Sequence, residues 1–137
     1  MSERQRAHWL HLPDEMRLNQ ACVNLGKAWA TPYLVGSAMQ RPDWRDVDVR
    51  IILPDADFEA MFNVPADADP MPLRLRWSII CSLISRQLTE ATGLPVDFQF
   101  QSQTQANQYG GPRNPLGFFP RFGDELDAER DGGGDGR

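Results

Sequence analysis

Residues 46–53, Asp-Val-Asp-Val-Arg-Ile-Ile-Leu, constrain the fold more than any other stretch. Side chains alternate faces along a strand, so Asp46, Asp48 and Arg50 share one face while Val47, Val49 and Ile51 share the other. A second stretch, Val96 to Gln101, repeats the pattern: Val96, Phe98 and Phe100 face one way, and Asp97, Gln99 and Gln101 the other. Two strands with one apolar and one polar face need a layer on the apolar side only.

Two long amphipathic segments supply that layer. Leu18, Cys22, Leu25 and Trp29 form a stripe on a helix predicted from Asp14 to about Ala30, after Pro13. A second helix is predicted over Leu73 to Thr92, with Trp77, Ile80, Cys81, Ile84 and Leu88 inward. Gly93 suits its left-handed cap, and Pro95 cannot continue it. Tyr33 to Val35 reads as a short buried strand. Asp55 to Asn63 reads as a short helix with Phe58, Met61 and Phe62 inward. Residues 64–72, with three prolines, read as a loop. Gln105 to Asn107 suggests a turn of helix, followed by a loop over Gly110 to Gly117. The expected class is α/β: a small mixed sheet with helices packed on one face and an open polar face.

The chain has 137 residues, enough for one domain. The expected domain spans 1–122, with Phe118, Phe119 and Phe122 pinning its end. Residues 123–137 hold six acids and two arginines among glycines, which accounts for −4 of the formal −5. That composition predicts a disordered acidic tail, and the body near −1 is not a bulk basic surface for nucleic acid. Cys22 and Cys81 lie in apolar helical patterns and read as free core thiols. No apolar run approaches the roughly 20 residues of a membrane span, and the start lacks a signal-peptide pattern; a cytoplasmic location without membrane partners is expected. His8 and His11 are three apart, without a third ligand nearby, so a metal role is disfavoured.

Chemistry concentrates on the polar face. If the two alternating strands pair, Asp46, Asp48 and Asp97 converge. Three carboxylates on a rigid sheet make a hard oxygen site suited to Mg²⁺ or Mn²⁺. Gly36-Ser37 would stand opposite: glycine allows close backbone approach, and a following helix turn with the Ser37 hydroxyl would offer donors to a phosphate. The bland reading is a solvated face balanced by Arg41, Arg45 and Arg50. Arg50 more often pairs with Asp48 or a neighbouring acid than touches a cofactor. Arg113 is a phosphate candidate, but more often a structural loop arginine. Gln99 and Gln101 are pocket residues or plain surface residues with equal weight. For Trp44, packing is favoured over base stacking.

Val-Gly-Ser-Ala (35–38), Arg-Asp-Val-Asp-Val-Arg (45–50) and Leu-Pro-Val-Asp-Phe-Gln (94–99) together resemble the nucleotidyltransferase superfamily of DNA polymerase β type. The likeness covers residues 33–101 and is similar in scale to small stand-alone bacterial and phage members. Ser37 and Asp46 are separated by eight residues, including Pro42 and Trp44, a short spacer for that family. The resemblance implies that Asp46 and Asp48 bind Mg²⁺ (or Mn²⁺) and the nucleoside triphosphate. It implies that Asp97 completes the site and helps activate a hydroxyl, and that Gly36 and Ser37 hold the β and γ phosphates. The implied reaction moves a nucleoside monophosphate from ATP, or another NTP, to a hydroxyl on a protein, RNA or small molecule. The alternative is a non-catalytic binding module of the same shape, antitoxin-like or a phage accessory protein. A nuclease on paired acids lacks support, because no His or Lys lies near them.

Overall fold

The computed structural model describes residues 8–68 and 74–117. In chain order these form α1 (Leu12–Ala28), β1 (Pro32–Val35), α2 (Ser37–Gln40), β2 (Val47–Leu53), α3 (Asp55–Phe62), α4 (Leu75–Thr92), β3 (Val96–Ser102), α5 (Gln103–Asn107) and β4 (Asn114–Pro115). The sheet order is β3-β2-β1-β4. β1 runs antiparallel to β2 and β4, whereas β2 and β3 are parallel, so the sheet is mixed.

The alternation in the sequence becomes alternation in burial. Val47, Val49, Ile51 and Leu53 of β2 are buried, as are Val96, Phe98 and Phe100 of β3. α1 and α4 pack beneath them and against each other. Phe100 centres the aromatic part of this core, its ring lying 5.1 Å from Trp29, 5.5 Å from Phe62 and 5.0 Å from Phe98. Trp29, expected inside, caps α1 and is 43% exposed. Its helix ends at Ala28, before the strand-directing Thr31-Pro32 pair is reached. Gly93 ends α4 at φ +77°, the left-handed cap expected of it. Cys22 and Cys81 are free and buried. Burial pushes their thiols up to about 12 and about 11, so neither is a nucleophile at neutral pH.

The edge of β3 is closed by side chains of α4. Trp77 Nε1 donates to the Phe100 carbonyl (2.9 Å), and Cys81 Sγ accepts from Phe100 N–H (3.4 Å). Ser85 Oγ accepts from Phe98 N–H at 2.8 Å, and Thr89 Oγ1 accepts from Val96 N–H at 3.1 Å. These four residues are spaced by four; Trp77 and Cys81 share Phe100, and the partners then step by two to Phe98 and Val96. Four helical residues rise about 6 Å, close to the roughly 6.6 Å of two strand residues, so an antiparallel helix can follow the strand edge. The result protects backbone groups that would otherwise template another strand. It also holds β3, and hence Asp97, in fixed register with β2.

At the far end of the strands, Ser102 Oγ donates to the Ala66 carbonyl (2.6 Å) and accepts from Gln105 N–H (3.0 Å), capping α5. Asp55 accepts from the Thr104 hydroxyl (2.6 Å) and Thr104 N–H (2.9 Å), joining the start of α3 to α5. Those bonds hold the Asp55 carboxyl below its ordinary value of 3.8. A carboxylate lowered in the folded state stabilises above its unfolded pKa, and loses that contribution as pH falls through the folded one. Asp55→Ala is therefore expected to unfold at a lower temperature than wild type near neutrality. The gap should narrow as pH falls through the ordinary carboxylate value and below it. A gap independent of pH in thermal melts would place the Asp55 effect in packing instead.

Asn114–Pro115, inside the expected loop, forms the short β4. Leu116 N–H then donates to the Pro32 carbonyl, and Gly117 N–H to Asn19 Oδ1. The expected roles of Phe118, Phe119 and Phe122, the tail at 123–137, and Leu73 as the start of α4 lie outside the described residues. Among the described residues, no helix is long and apolar enough to cross a membrane.

Candidate functional site

The polar face of the sheet is ordered in rows by strand register. Asp48 pairs with Asp97, Arg50 with Gln99, and Ile52 with Gln101. Asp46 precedes the first residue of β2 and is exposed. The Arg50 guanidinium lies over the first row. Its Nη2 is 3.9 Å from Asp48 Oδ1 and 3.7 Å from Asp97 Oδ2, while Nη1 donates to the Asp97 carbonyl (2.8 Å) and the Val49 carbonyl (3.0 Å). The side chain is only 13% exposed. Arg50 thus takes the ion-pair role that sequence reasoning ranked first, and bridges both acids rather than one.

Asp48 carries the electrostatic tension of the site. Burial raises its carboxyl above the ordinary 3.8, Arg50 opposes that rise, and Asp97 and then Asp46 add to it. Asp48 therefore feels both of the other expected acids. Among the described residues, no three acid, imidazole or thiol side chains are gathered closely enough to form a ready-made metal cage. In kind, the donors fit a hard divalent cation: all are carboxylate oxygens, and a half-buried carboxylate beside two others is relieved by positive charge.

Gly36 stands directly against Asp48. Its backbone, at φ +78° and ψ −152°, occupies a region open essentially to glycine alone. A Cβ built there would overlap the Asp48 carboxylate. Ser37 begins α2 and is half-buried. Gly36 thus joins β1 to α2 and forms one wall of the acid site.

A cleft of about 510 Å³ opens here. Gly36, Asp48, Arg50 and Arg113, all expected site residues, line it together with Gln99 and Gln101. Ser37, Asp46 and Asp97 are not among its lining residues. Asp97 instead borders a shallower groove on the α4 side, beside Ser85, and reaches the cleft through Arg50. Arg113 also donates to the Ala106 carbonyl (3.0 Å), tying its loop to α5, so it is a structural loop arginine as well as a cleft residue. No family model, curated protein or solved structure matches the chain. The chemistry of the site therefore has to be read from its own residues.

Sequence reasoning missed the roof and side of the cleft. Gln108 to Pro112 pass over it, and Gln40 enters from the end of α2. The Gln40 amide nitrogen lies 4.0 Å from where a Gly111 Cβ would be, so loop and helix meet across the opening. The signal available was a run of glutamines at 99, 101 and 108 followed by Tyr109 and two glycines. Trp44 has the packing role favoured for it: it lies against the core, and its Nε1 donates to the Trp9 carbonyl (3.3 Å). His8 is buried, accepts from Leu10 N–H at Nδ1, and places Nε2 3.2 Å from Glu15.

Proposed function

We propose that the protein is a Mg²⁺-dependent nucleotidyltransferase that moves a nucleoside monophosphate from an NTP, ATP foremost, to a hydroxyl acceptor. The observation that carries this reading is the contact of Gly36 with Asp48, with Asp97 beside Asp48 in register. A glycine in a backbone region closed to other residues lets the Asp48 carboxylate sit directly against the chain at the cleft wall, where a phosphate would meet bare backbone and carboxylate together. Asp46, Asp48 and Asp97 would hold Mg²⁺, which when bound neutralises the phosphates and the departing pyrophosphate.

The chain's own groups supply the rest. Gly36 brings backbone close to the phosphates, and the Ser37 hydroxyl donates to one of them. Asp97, the more exposed acid of the pair, accepts the proton of the attacking hydroxyl. Arg50 bridges the two carboxylates and limits their repulsion. Positioning and charge compensation are the main catalytic terms in such a site. The acceptor is a protein, RNA or small molecule.

A second reading, a non-catalytic binding module of the same shape, is favoured by one feature: Arg50 already provides a fixed cation between Asp48 and Asp97. The two readings separate in thermal unfolding with ATP, with and without Mg²⁺. Ligand at a hundred times its dissociation constant adds about 2.7 kcal/mol. A shift that requires Mg²⁺ is expected for the transferase. A shift of equal size without Mg²⁺ counts against the metal-dependent transferase, and no shift with any NTP favours the binding module.

A further inference from the structure

The polar face of the sheet, which floors the cleft, changes character along the strands. Its first row is two acids, its second a cation and an amide, its third an aliphatic side chain and an amide. Each row is about 6.6 Å from the last. Charge therefore falls away from the Asp48 end toward Gln101. There Gln99 and Gln101 rise from β3, and Gln108 and Tyr109 descend from the loop after α5. The amides of Gln40, Gln99, Gln101 and Gln108 make no hydrogen bond to another described residue. Tyr109 is 64% exposed although it lines a concave surface. The lining here has no carboxylate; Arg113 is tied back to the Ala106 carbonyl, and Arg50, beside Gln99, to the Val49 and Asp97 carbonyls.

Unpaired amides offer donors and acceptors side by side, the pattern that complements the edge of a nucleobase. An exposed phenol ring offers a face on which a base stacks. We infer that this end of the cleft is a nucleobase subsite, with Tyr109 as the stacking platform and Gln99 and Gln101 contacting the base edge. A nucleotide would then lie along the strands, phosphates at Gly36 and Asp48, base at Gln101 and Tyr109. The inference rests on the proposed nucleotide chemistry, but it assigns residues outside the acid site.

Three probes separate the two ends: ATP, inorganic tripolyphosphate and adenosine, each titrated calorimetrically into the full chain with Mg²⁺. Wild type should bind ATP more tightly than tripolyphosphate. Tyr109→Ala and Gln101→Ala should each weaken ATP by about tenfold or more, the scale of one lost base contact, and leave tripolyphosphate unchanged. Tyr109→Phe, which keeps the ring, should bind ATP as wild type does. Both positions are at the surface, and unchanged melting temperatures will confirm folding. Equal binding of ATP and tripolyphosphate by wild type would overturn the base subsite alone. So would parallel loss of both probes, or unchanged ATP affinity, in the variants. Wild type binding none of the three would overturn the nucleotide reading and the subsite with it.

Discussion

Gly36→Ala should destabilise the protein by about 3 kcal/mol, the upper end for a strained backbone position. Two penalties coincide there. The backbone at φ +78° and ψ −152° is outside the range of an L side chain. The new methyl also meets the Asp48 carboxylate, which is half-buried and bordered by Arg50. Gly93 provides the control. It too has a left-handed φ, +77°, but nothing lies within 4 Å of its would-be Cβ. Gly93→Ala should therefore show the conformational penalty alone, about 1–2 kcal/mol. The excess at Gly36 reports the clash together with its costlier ψ of −152°. Shortening the partner isolates the clash: in an Asp48→Ala background, Gly36→Ala should cost less than in wild type, though still more than Gly93→Ala. Denaturant unfolding measures all four variants. Equal costs for the two glycines in the wild-type background would show that Gly36 yields freely, and that the site does not depend on its close approach.

The sheet and its layer of helices were legible because burial follows period. Asp46 to Ile51 and Val96 to Gln101 alternate strictly, and alternation means one buried face whatever the partners. The helices at 12–28 and 75–92 followed from their stripes and from Pro13 and Gly93. What escaped was structure whose cause lies outside the segment. Ser85 and Thr89 look like ordinary polar helix residues until β3 is placed beside them; their hydroxyls then bond its exposed edge. β4 is two residues long and contains Pro115, so no pattern within it distinguishes strand from loop. It forms because Leu116 N–H finds the Pro32 carbonyl at the edge of β1.

The site shows the same division. The sequence placed Asp48, Arg50 and Asp97 on polar strand faces by alternation alone. Parallel pairing of β2 and β3, which brings Asp48 directly beside Asp97, was not in the pattern. Nor was the reach of Arg50 to the Asp97 carbonyl, which depends on a neighbouring strand's register. The glutamine-lined end needed the path of the loop from Gln108 to Arg113, and loops of this kind carry little periodic signal. Gly36 stands between these cases: its place before Ser37 suggested close approach, but only the fold shows that its neighbour is a carboxylate.

Asp48→Asn should separate function from stability. On the proposed reading it removes a charge that the bound cation needs, and Mg²⁺-dependent transfer from ATP should fall by about a thousandfold, the upper range for loss of one electrostatic contact in a reaction site. Calorimetric titration of ATP with Mg²⁺ should show binding lost in parallel. Folding should respond differently. Burial and two neighbouring acids oppose the charge of Asp48, and Arg50 alone offsets them. Asparagine keeps the size and removes the repulsion. Arg50 is not stranded, because it still donates to the Val49 and Asp97 carbonyls and faces the Asp97 carboxylate. The variant should therefore be as stable as wild type, within about 0.5 kcal/mol, or slightly more stable. Charge held in place against the preference of the fold is what a binding role for Asp48 requires. If Asp48→Asn instead unfolds readily, the carboxylate is a structural partner of Arg50. If it folds and still binds ATP with Mg²⁺ as wild type does, Asp48 is not the residue that holds the cation.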